Sequence, residues 1–468
     1  MSGYSAIEQI RQPITLPCGL VLPNRTVKCP MQETCAKAPY YDPPMHLFDN
    51  LYRRWAKAEF GMVITGQVQI DQRFLSIKGD VVIHSETLDP GHIEAWEAWA
   101  RLAQSEGTPC IVQLAHPGRM SPAGAGNRPG DLEPMSASAV PVELGATWMD
   151  KMAIQALLGT PREMSIEEID TLVSDFVHAA KVAKIAGFKG VQLHGAHGFL
   201  LCQFLSPHTN RRNDAYGGTP EKRLKLMTRV IAEIRAVCPA PFCVGVKLNT
   251  GDYMDNKGLT EEEAYQQVRF FMTCGMIDFV ELSGGSGEST KGKNKFFDSF
   301  GQKSIEKAPQ KSSTRIREAF FTDFAERLKD IDSNVPIQLS GGFRSRLGMA
   351  DALESGACQL IGIGRPVVLE PEFPKATLFN PEIPDDQAFA VPFVPRGLWV
   401  AKLSPVKIVG AGLRGKLYYY NMRRLAHGLD PDRLASIPFI IFNGVVELLK
   451  ETFSGVGQYF FGERAKTL

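Results

Sequence analysis

The chain has 468 residues, 44% of them hydrophobic, and 52 Lys and Arg against 51 Asp and Glu give a formal net charge of +1. That composition supplies a large core, and an α/β barrel with an appendage accommodates the length. The charge is balanced and no basic block is interleaved with aromatics, so nothing argues for nucleic acid or an anionic membrane as partner.

Met1 to Arg11 is polar and mixed, so no secretion signal is read there. The most apolar late stretch, Ile437 to Leu449, is interrupted by Pro438, Asn443 and Glu447. It is shorter than the about 20 apolar residues a membrane span needs. The nine cysteines, at 18, 29, 35, 110, 202, 238, 243, 274 and 358, form no CxxC pair. An odd, scattered set fits reduced thiols in the cytoplasm and gives no metal or iron–sulfur ligand pattern.

In chain order, Ile14–Leu16 and Gly19–Leu22 predict a small hairpin that caps a barrel floor. Short apolar runs then alternate with longer amphipathic ones, the pattern of a parallel sheet covered by helices. The strand cores are Thr26–Cys29, Gly61–Thr65, Cys110–Leu114, Gly190–Leu193, Phe242–Leu248, Asp278–Leu282, Pro336–Leu339 and Gln359–Ile363. Eight is the number that closes a (β/α)₈ TIM barrel.

Two of the intervening helices carry capping boxes. Ser165 with Glu168 opens a helix running to Ala186, where Gly187 stops it, and Thr260 with Glu263 opens one ending near Cys274. The Lys-rich stretch Gly287 to Thr314 is a long loop after the sixth strand. It reads as a lid or binding element, with a structureless insertion as the alternative. Residues 1–380 form the barrel on this reading. Residues 381–468 form a helical C-terminal extension that packs on the barrel or on a neighbouring subunit, which leaves a homo-oligomer open.

Barrel chemistry sits at the C-terminal strand ends. Glycines follow the last two strands, in Gln-Leu-Ser-Gly-Gly-Phe-Arg (338–344) and Ile-Gly-Ile-Gly-Arg-Pro (361–366). Small residues there let backbone N–H groups approach a phosphate, with Arg344 and Arg365 adding charge. His194 and His197 end the fourth strand. Two neutral imidazoles there donate to one carbonyl oxygen and activate a conjugated C=C bond; packing histidines are the bland alternative. Lys247 ends the fifth strand, as the partner of an electron-rich cofactor edge or as a Schiff-base lysine of an aldolase. Gly410–Gly415 matches GxGxxG, but only Lys407–Val409 precedes it as strand and no acidic strand end follows near 435. It is read as a decoy rather than a dinucleotide site.

Together with Leu-Pro-Asn-Arg-Thr-Val-Lys (22–28), Val-Gln-Leu-Ala-His-Pro-Gly-Arg (112–119), Pro-Arg-Glu-Met (161–164), Phe-Leu-Ser-Pro-His-Thr-Asn-Arg-Arg-Asn-Asp-Ala-Tyr-Gly-Gly (204–218), Val-Gly-Val-Lys-Leu-Asn (244–249) and Arg-Glu-Ala-Phe-Phe (317–321), these motifs resemble the Old Yellow Enzyme family of FMN-dependent ene-reductases. The bacterial and fungal NADH:flavin oxidoreductase branch is the nearest pattern, and Tyr-Tyr-Tyr-Asn-Met-Arg-Arg-Leu-Ala-His-Gly-Leu-Asp-Pro (418–431) resembles its tail. The resemblance implies FMN as cofactor, NAD(P)H as reductant and a small-molecule enone as substrate.

It further implies that Pro30, Met31, Gln32 and Gly66 border the flavin ring, that Gln113 meets its pyrimidine edge, and that Lys247 faces N1 and the C2 carbonyl. Ser340, Gly341, Gly342, Phe343, Arg344, Gly364 and Arg365 would hold the phosphate, and His194 and His197 the substrate oxygen. Lys247 stands where most of the family has Arg, and Lys also looks normal in this branch. Two positions depart from the family pattern: Gln32 stands where Thr or Cys tunes the flavin, and Phe199 where a proton-donating Tyr is usual. Phe199 opens a second reading, a flavin-dependent isomerase or desaturase. A flavin-binding protein without catalysis is a further alternative, against which the histidine pair speaks.

Overall fold

Apolar and polar residues alternate along the predicted strands, and that alternation separates two faces. A computed structural model describes residues 5–129, 132–145, 147–254, 257–285, 288, 321–391, 396–397, 399–400 and 413–443. The barrel strands are β1 (Thr26–Lys28), β2 (Met62–Gln69), β3 (Cys110–Ala115), β4 (Gly190–Gly195), β5 (Cys243–Asn249), β6 (Phe279–Ser283), β7 (Ile337–Ser340) and β8 (Leu360–Ile363). All pair in parallel in chain order, and β8 pairs back onto β1 to close the ring. β2 runs four residues past its predicted end, because its register with β3 slips between Ile64 and Gln67. The added length pairs Val68 and Gln69 with Val81 and Val82.

Outward-facing residues such as Val112, Val191, Leu193, Val244, Val246, Val280, Leu282 and Leu339 join the main core between barrel and helices. That shell comprises α1 (Met45–Ala56), α2 (Ile93–Ala103), α3 (Ile166–Ala186), α4 (Pro220–Val237), α5 (Glu261–Thr273), α6 (Thr322–Glu326), α7 (Arg346–Glu354) and α8 (Pro366–Leu369). The helix starts follow local chemistry. Both expected capping boxes form, and Gly187 ends α3 at φ +97°, a left-handed conformation that glycine adopts without strain.

Inward-facing residues change character along the barrel axis. At the floor, Val27, Ile64, Ile111, Cys243, Phe279 and Leu360 form a second apolar cluster with Leu16 and Leu22. Those two come from the expected N-terminal hairpin, in which Ile14 pairs with Leu22 and Thr15 with Val21. The next inward positions are Gln113, Gln192, Gly245, Glu281 and Gln338; those above them are His194, Lys247, Ser283 and Ser340. The interior is therefore dry at the bottom, amide-rich in the middle and ionisable at the top, where the site lies.

Two ties extend beyond the barrel. The buried Arg346 of α7 donates to the carbonyls of Thr377, Leu378, Asn380 and Ile383 at 2.7–2.8 Å and pairs with Asp385 at 2.8 Å. It ties the chain segment that follows α8 to the start of α7. Helix α9 (Leu413–Ala426) lies against α1, where Asn50 Nδ2 donates to Ala426 O at 3.0 Å. Its Tyr419 hydroxyl donates to Gln32 Oε1 at 2.9 Å. Among the described residues no helix is long and apolar enough to cross a membrane. All nine cysteines are free, and all but Cys274 are buried.

Candidate active site

The upper interior positions of β4, β5 and β6 converge. His194 and His197 stand with ring centroids 5.1 Å apart at an interplanar angle of 90°. His197 takes φ +61°, a strained value for a residue with a Cβ, and Asn249 Oδ1 holds it there by accepting its N–H at 3.1 Å. Its Nε2 lies 2.7 Å from Ser283 Oγ. His194 Nδ1 accepts the N–H of Ala196 at 3.4 Å, which leaves Nε2 as the protonated nitrogen of the neutral ring. Burial, and then the positive charge of Lys247, holds both imidazoles well below the usual histidine pKa. Phe199 is stacked on His194 at 4.5 Å and 18°.

His116, just past β3, is a third buried neutral imidazole. Its Nδ1 accepts from Gly118 N at 3.0 Å, and burial pushes its pKa down to about 4 despite nearby Asp71. In the unfolded chain all three titrate near the usual value, so between pH 6.5 and about 4 unfolding takes up protons that the native state refuses. Stability is fully present above that window and falls as pH drops through it, by up to ~1.4 kcal/mol per pH unit for each group. The urea midpoint should fall between pH 7 and pH 5. His116→Asn, whose carbonyl oxygen still accepts from Gly118, should flatten the fall; a profile identical to wild type would refute the assignment.

The remaining expected residues ring this centre from other strand ends. Pro30, Met31 and Gln32 follow β1. Gln32 Nε2 donates to Ser76 Oγ at 2.6 Å and Asp80 Oδ1 at 3.1 Å, so protein groups hold both ends of the side chain. Gly66 lies within β2 at the register slip, and its N–H donates to Glu33 Oε1 at 2.8 Å. A Cβ there would overlap Glu33 Oε2, so the close approach that requires glycine is internal. Glu33 also accepts from the Tyr52 hydroxyl.

Gln113 of β3 is anchored through its N–H to Thr65 Oγ1 at 3.1 Å. Lys247 of β5 is buried and pairs with Glu281 of β6 at 2.8 Å. After β7, Ser340 is followed by Gly341 and Gly342 at φ +102° and +99°, with Phe343 buried behind them. Ser345 then caps α7 by accepting from Gly348 N at 3.1 Å, so that helix end is already served by its own side chain. Gly364 precedes Arg365, whose guanidinium lies 5.7 Å from the Tyr418 ring of α9.

These residues fit a flavin mononucleotide. A glycine-only backbone turn and two arginine positions would suit its phosphate, an amide and an ammonium its ring edge, and two neutral histidines lie on and just after β4. A cleft of about 690 Å³ opens beside this centre. It is lined by His208 and Arg211 from the segment after β4 and by Tyr253, Lys257 and others from the loop after β5, and none of the expected residues borders it.

Sequence reasoning missed Glu281, Gln192 and Asn249. A signal existed for the first two: a carboxylate and an amide interrupt otherwise apolar strand cores, in Phe-Val-Glu-Leu and Gly-Val-Gln-Leu. The expected loop Gly287–Thr314 lies outside the described residues apart from Glu288, which pairs with the buried Arg119. The GxGxxG match also falls largely outside them, and Leu413 and Gly415 belong to helix α9.

Another polar group stands apart. Asp42 lies 2.6 Å from His92 Nδ1 and 3.5 Å from His84 Nε2. The Glu86 N–H donates to His84 Nδ1 at 3.2 Å, which puts the imidazole proton on Nε2 facing Asp42. His92 is hydrogen-bonded to Asp42, whereas His84 Nε2 and Asp42 Oδ1 make no hydrogen bond.

Residues 9–378 match the family described as NADH:flavin oxidoreductase / NADH oxidase. An NADH-dependent flavin oxidoreductase of Hypocrea jecorina (strain QM6a) is 38% identical over 376 residues, 80% of this chain and 90% of that protein. Another, from Neonectria sp. (strain DH2), is 39% identical over 422 residues, 89% of this chain but 54% of its own length, so the chain spans about half of that relative. Among solved structures, the old yellow enzyme homologue from Zymomonas mobilis superposes with a TM-score of 0.60 at 22% identity, covering 78% of this chain and 91% of that one. Morphinone reductase in complex with tetrahydroNAD gives 0.58 at 22% identity, covering 77% and 87%. At that identity the likeness is one of fold, the (β/α)₈ barrel.

Proposed function

Since the chain belongs to the NADH:flavin oxidoreductase / NADH oxidase family, we propose that it is an NAD(P)H-dependent flavin oxidoreductase that delivers hydride to the activated C=C bond of an enone-type small molecule. The observation that carries the substrate class is the histidine pair, two buried rings held neutral beside a cation. FMN, when bound, supplies a two-electron carrier that takes hydride from NAD(P)H and gives it up again at N5. The protein's part is to bind and polarise. His194 Nε2–H and His197 donate to the substrate's carbonyl oxygen, and negative charge growing on that oxygen is met by fixed donors in a dry site. Lys247 and Gln113 serve the pyrimidine edge, and Ser340 to Arg344 with Gly364 and Arg365 serve the phosphate.

The test is spectroscopic. The purified full chain should carry a flavin absorbance that bleaches with NADH or NADPH in the absence of oxygen and returns on adding cyclohexenone. A protein without flavin absorbance, even after incubation with FMN, sinks the proposal.

Phe199 favours a second reading. Its ring on His194 has no proton to give the α-carbon, which suits isomerisation, where the added hydride leaves again, or desaturation, where a saturated substrate gives up hydride and an α-proton and oxygen is the final electron acceptor. Phe199→Tyr should raise net alkene reduction about tenfold or more by restoring an acid. If product and rate stay as in wild type, protonation comes from elsewhere and this reading loses its basis. The ion pair to Glu281 speaks against a Schiff-base role for Lys247. The division into a barrel of residues 1–380 and an extension of residues 381–468 belongs to the same proposal, supported by the contacts of α9 with α1 and Gln32. Nine free thiols support a reducing compartment.

A further inference from the structure

The middle interior layer contains a buried chain of polar contacts that the reaction itself does not require. Lys247 Nζ lies 2.8 Å from Glu281 Oε1. Glu281 Oε2 accepts from Gln192 Nε2 at 2.8 Å, and Gln192 Oε1 accepts from Gln113 Nε2 at 2.7 Å. Glu281, Gln192 and Gln113 come from β6, β4 and β3, and all three are at most 1% exposed.

An ionised carboxylate only accepts, so it dictates the direction of every bond attached to it. Glu281 forces Gln192 to present its NH₂ group, which turns the Gln192 oxygen toward Gln113. Gln113 must then spend its own NH₂ group on Gln192, leaving Gln113 Oε1 as the free end. Among the described residues that oxygen makes no hydrogen bond. Two glutamines in contact without the carboxylate have no such preference, since each amide flips at little cost.

We infer that Glu281 is a positioning residue that fixes the polarity of the Gln192–Gln113 relay, so that Gln113 offers an acceptor and Lys247 a donor to the pyrimidine edge of the flavin. That pattern matches an imide, whose N–H lies next to a carbonyl. A flipped Gln113 would point NH₂ at an N–H and lose the bond. Glu281 also sets a negative charge against Lys247, which moderates how strongly the ammonium favours the electron-rich reduced flavin. The inference rests on the flavin reading above and deepens it.

The experiment compares full-length wild type, Glu281→Gln, Glu281→Asp and Gln192→Leu. The readouts are FMN dissociation constant and two-electron midpoint potential, with far-UV circular dichroism to verify folding. Glu281→Gln and Gln192→Leu should each weaken FMN binding roughly tenfold or more, by leaving the relay unfixed or broken. Only Glu281→Gln should also raise the potential, by roughly 30 mV, the equivalent of a tenfold gain in preference for reduced flavin. Glu281→Asp keeps the acceptor-only charge and should recover most of both. FMN affinity in folded Gln192→Leu equal to wild type overturns the relay, and an unchanged potential in Glu281→Gln overturns the counter-charge. A wild-type chain that binds no FMN would instead sink the function proposed above.

Discussion

Replacing His197 with alanine is expected to lower kcat/KM for an enone by about 10²–10³, the usual cost of removing one preorganised donor from a developing oxyanion. Reduction of the flavin by NAD(P)H should change far less, because no negative oxygen forms on the nicotinamide. The site concentrates restraint on this residue: a left-handed backbone, an N–H held by Asn249, and Nε2 set 2.7 Å from Ser283 Oγ. His197→Asn retains an N–H donor at this position and should recover much of the loss. Stopped-flow traces of the two half-reactions separate the cases. If His197→Ala slowed both equally, the histidine would be packing the site and the substrate oxygen would lie elsewhere.

Arg346→Leu should destabilise the fold by about 3–5 kcal/mol, the scale for removing one member of a buried charged network. Four carbonyls and Asp385 lose their donor together, and no nearby side chain replaces a five-donor fork. The expected readout is a fall in Tm on the order of 10 °C. Arg346→Lys keeps the charge but reaches at most part of the fan, so it should recover only a fraction. A Leu variant melting within about 2 °C of wild type would mean that water satisfies the segment 377–385.

The barrel was legible in the sequence because most strands signal it twice, by their outward apolar residues and by a polar residue at their C-terminal ends. Val191 and Leu193 predict the helix-facing side of β4, and His194 its upper end. The capping boxes at Ser165 and Thr260 were legible for the same reason: the interaction that starts a helix is written within four residues.

What the sequence withheld is contact between strands distant in order. Lys247 and Glu281 are register neighbours on adjacent strands but lie 34 residues apart in the chain, with α5 between them. Nothing local says that the carboxylate meets that ammonium rather than another. The slip in β2 was hidden likewise, because a Gly within a strand and a Gly at its end read alike. Gln32 was recognised as a departure, but its hold by Tyr419 spans the length of the chain and has no local trace.

The free thiols have a practical consequence. Burial pushes Cys29, Cys35 and Cys358 up to about 12 and raises Cys110, Cys202, Cys238 and Cys243 as well. The half-buried Cys274, although burial raises it too, is the thiol most open to an alkylating reagent in the native protein, while Cys18, lowered by its hydrogen bond to Cys243, is itself buried. The eight buried thiols are spread over β3, β5, the loops and the helices, so each becomes reactive only when its own neighbourhood opens. Peptide-resolved alkylation therefore amounts to a set of clocks already distributed through the molecule, able to time which part opens first without adding a label or disturbing the flavin.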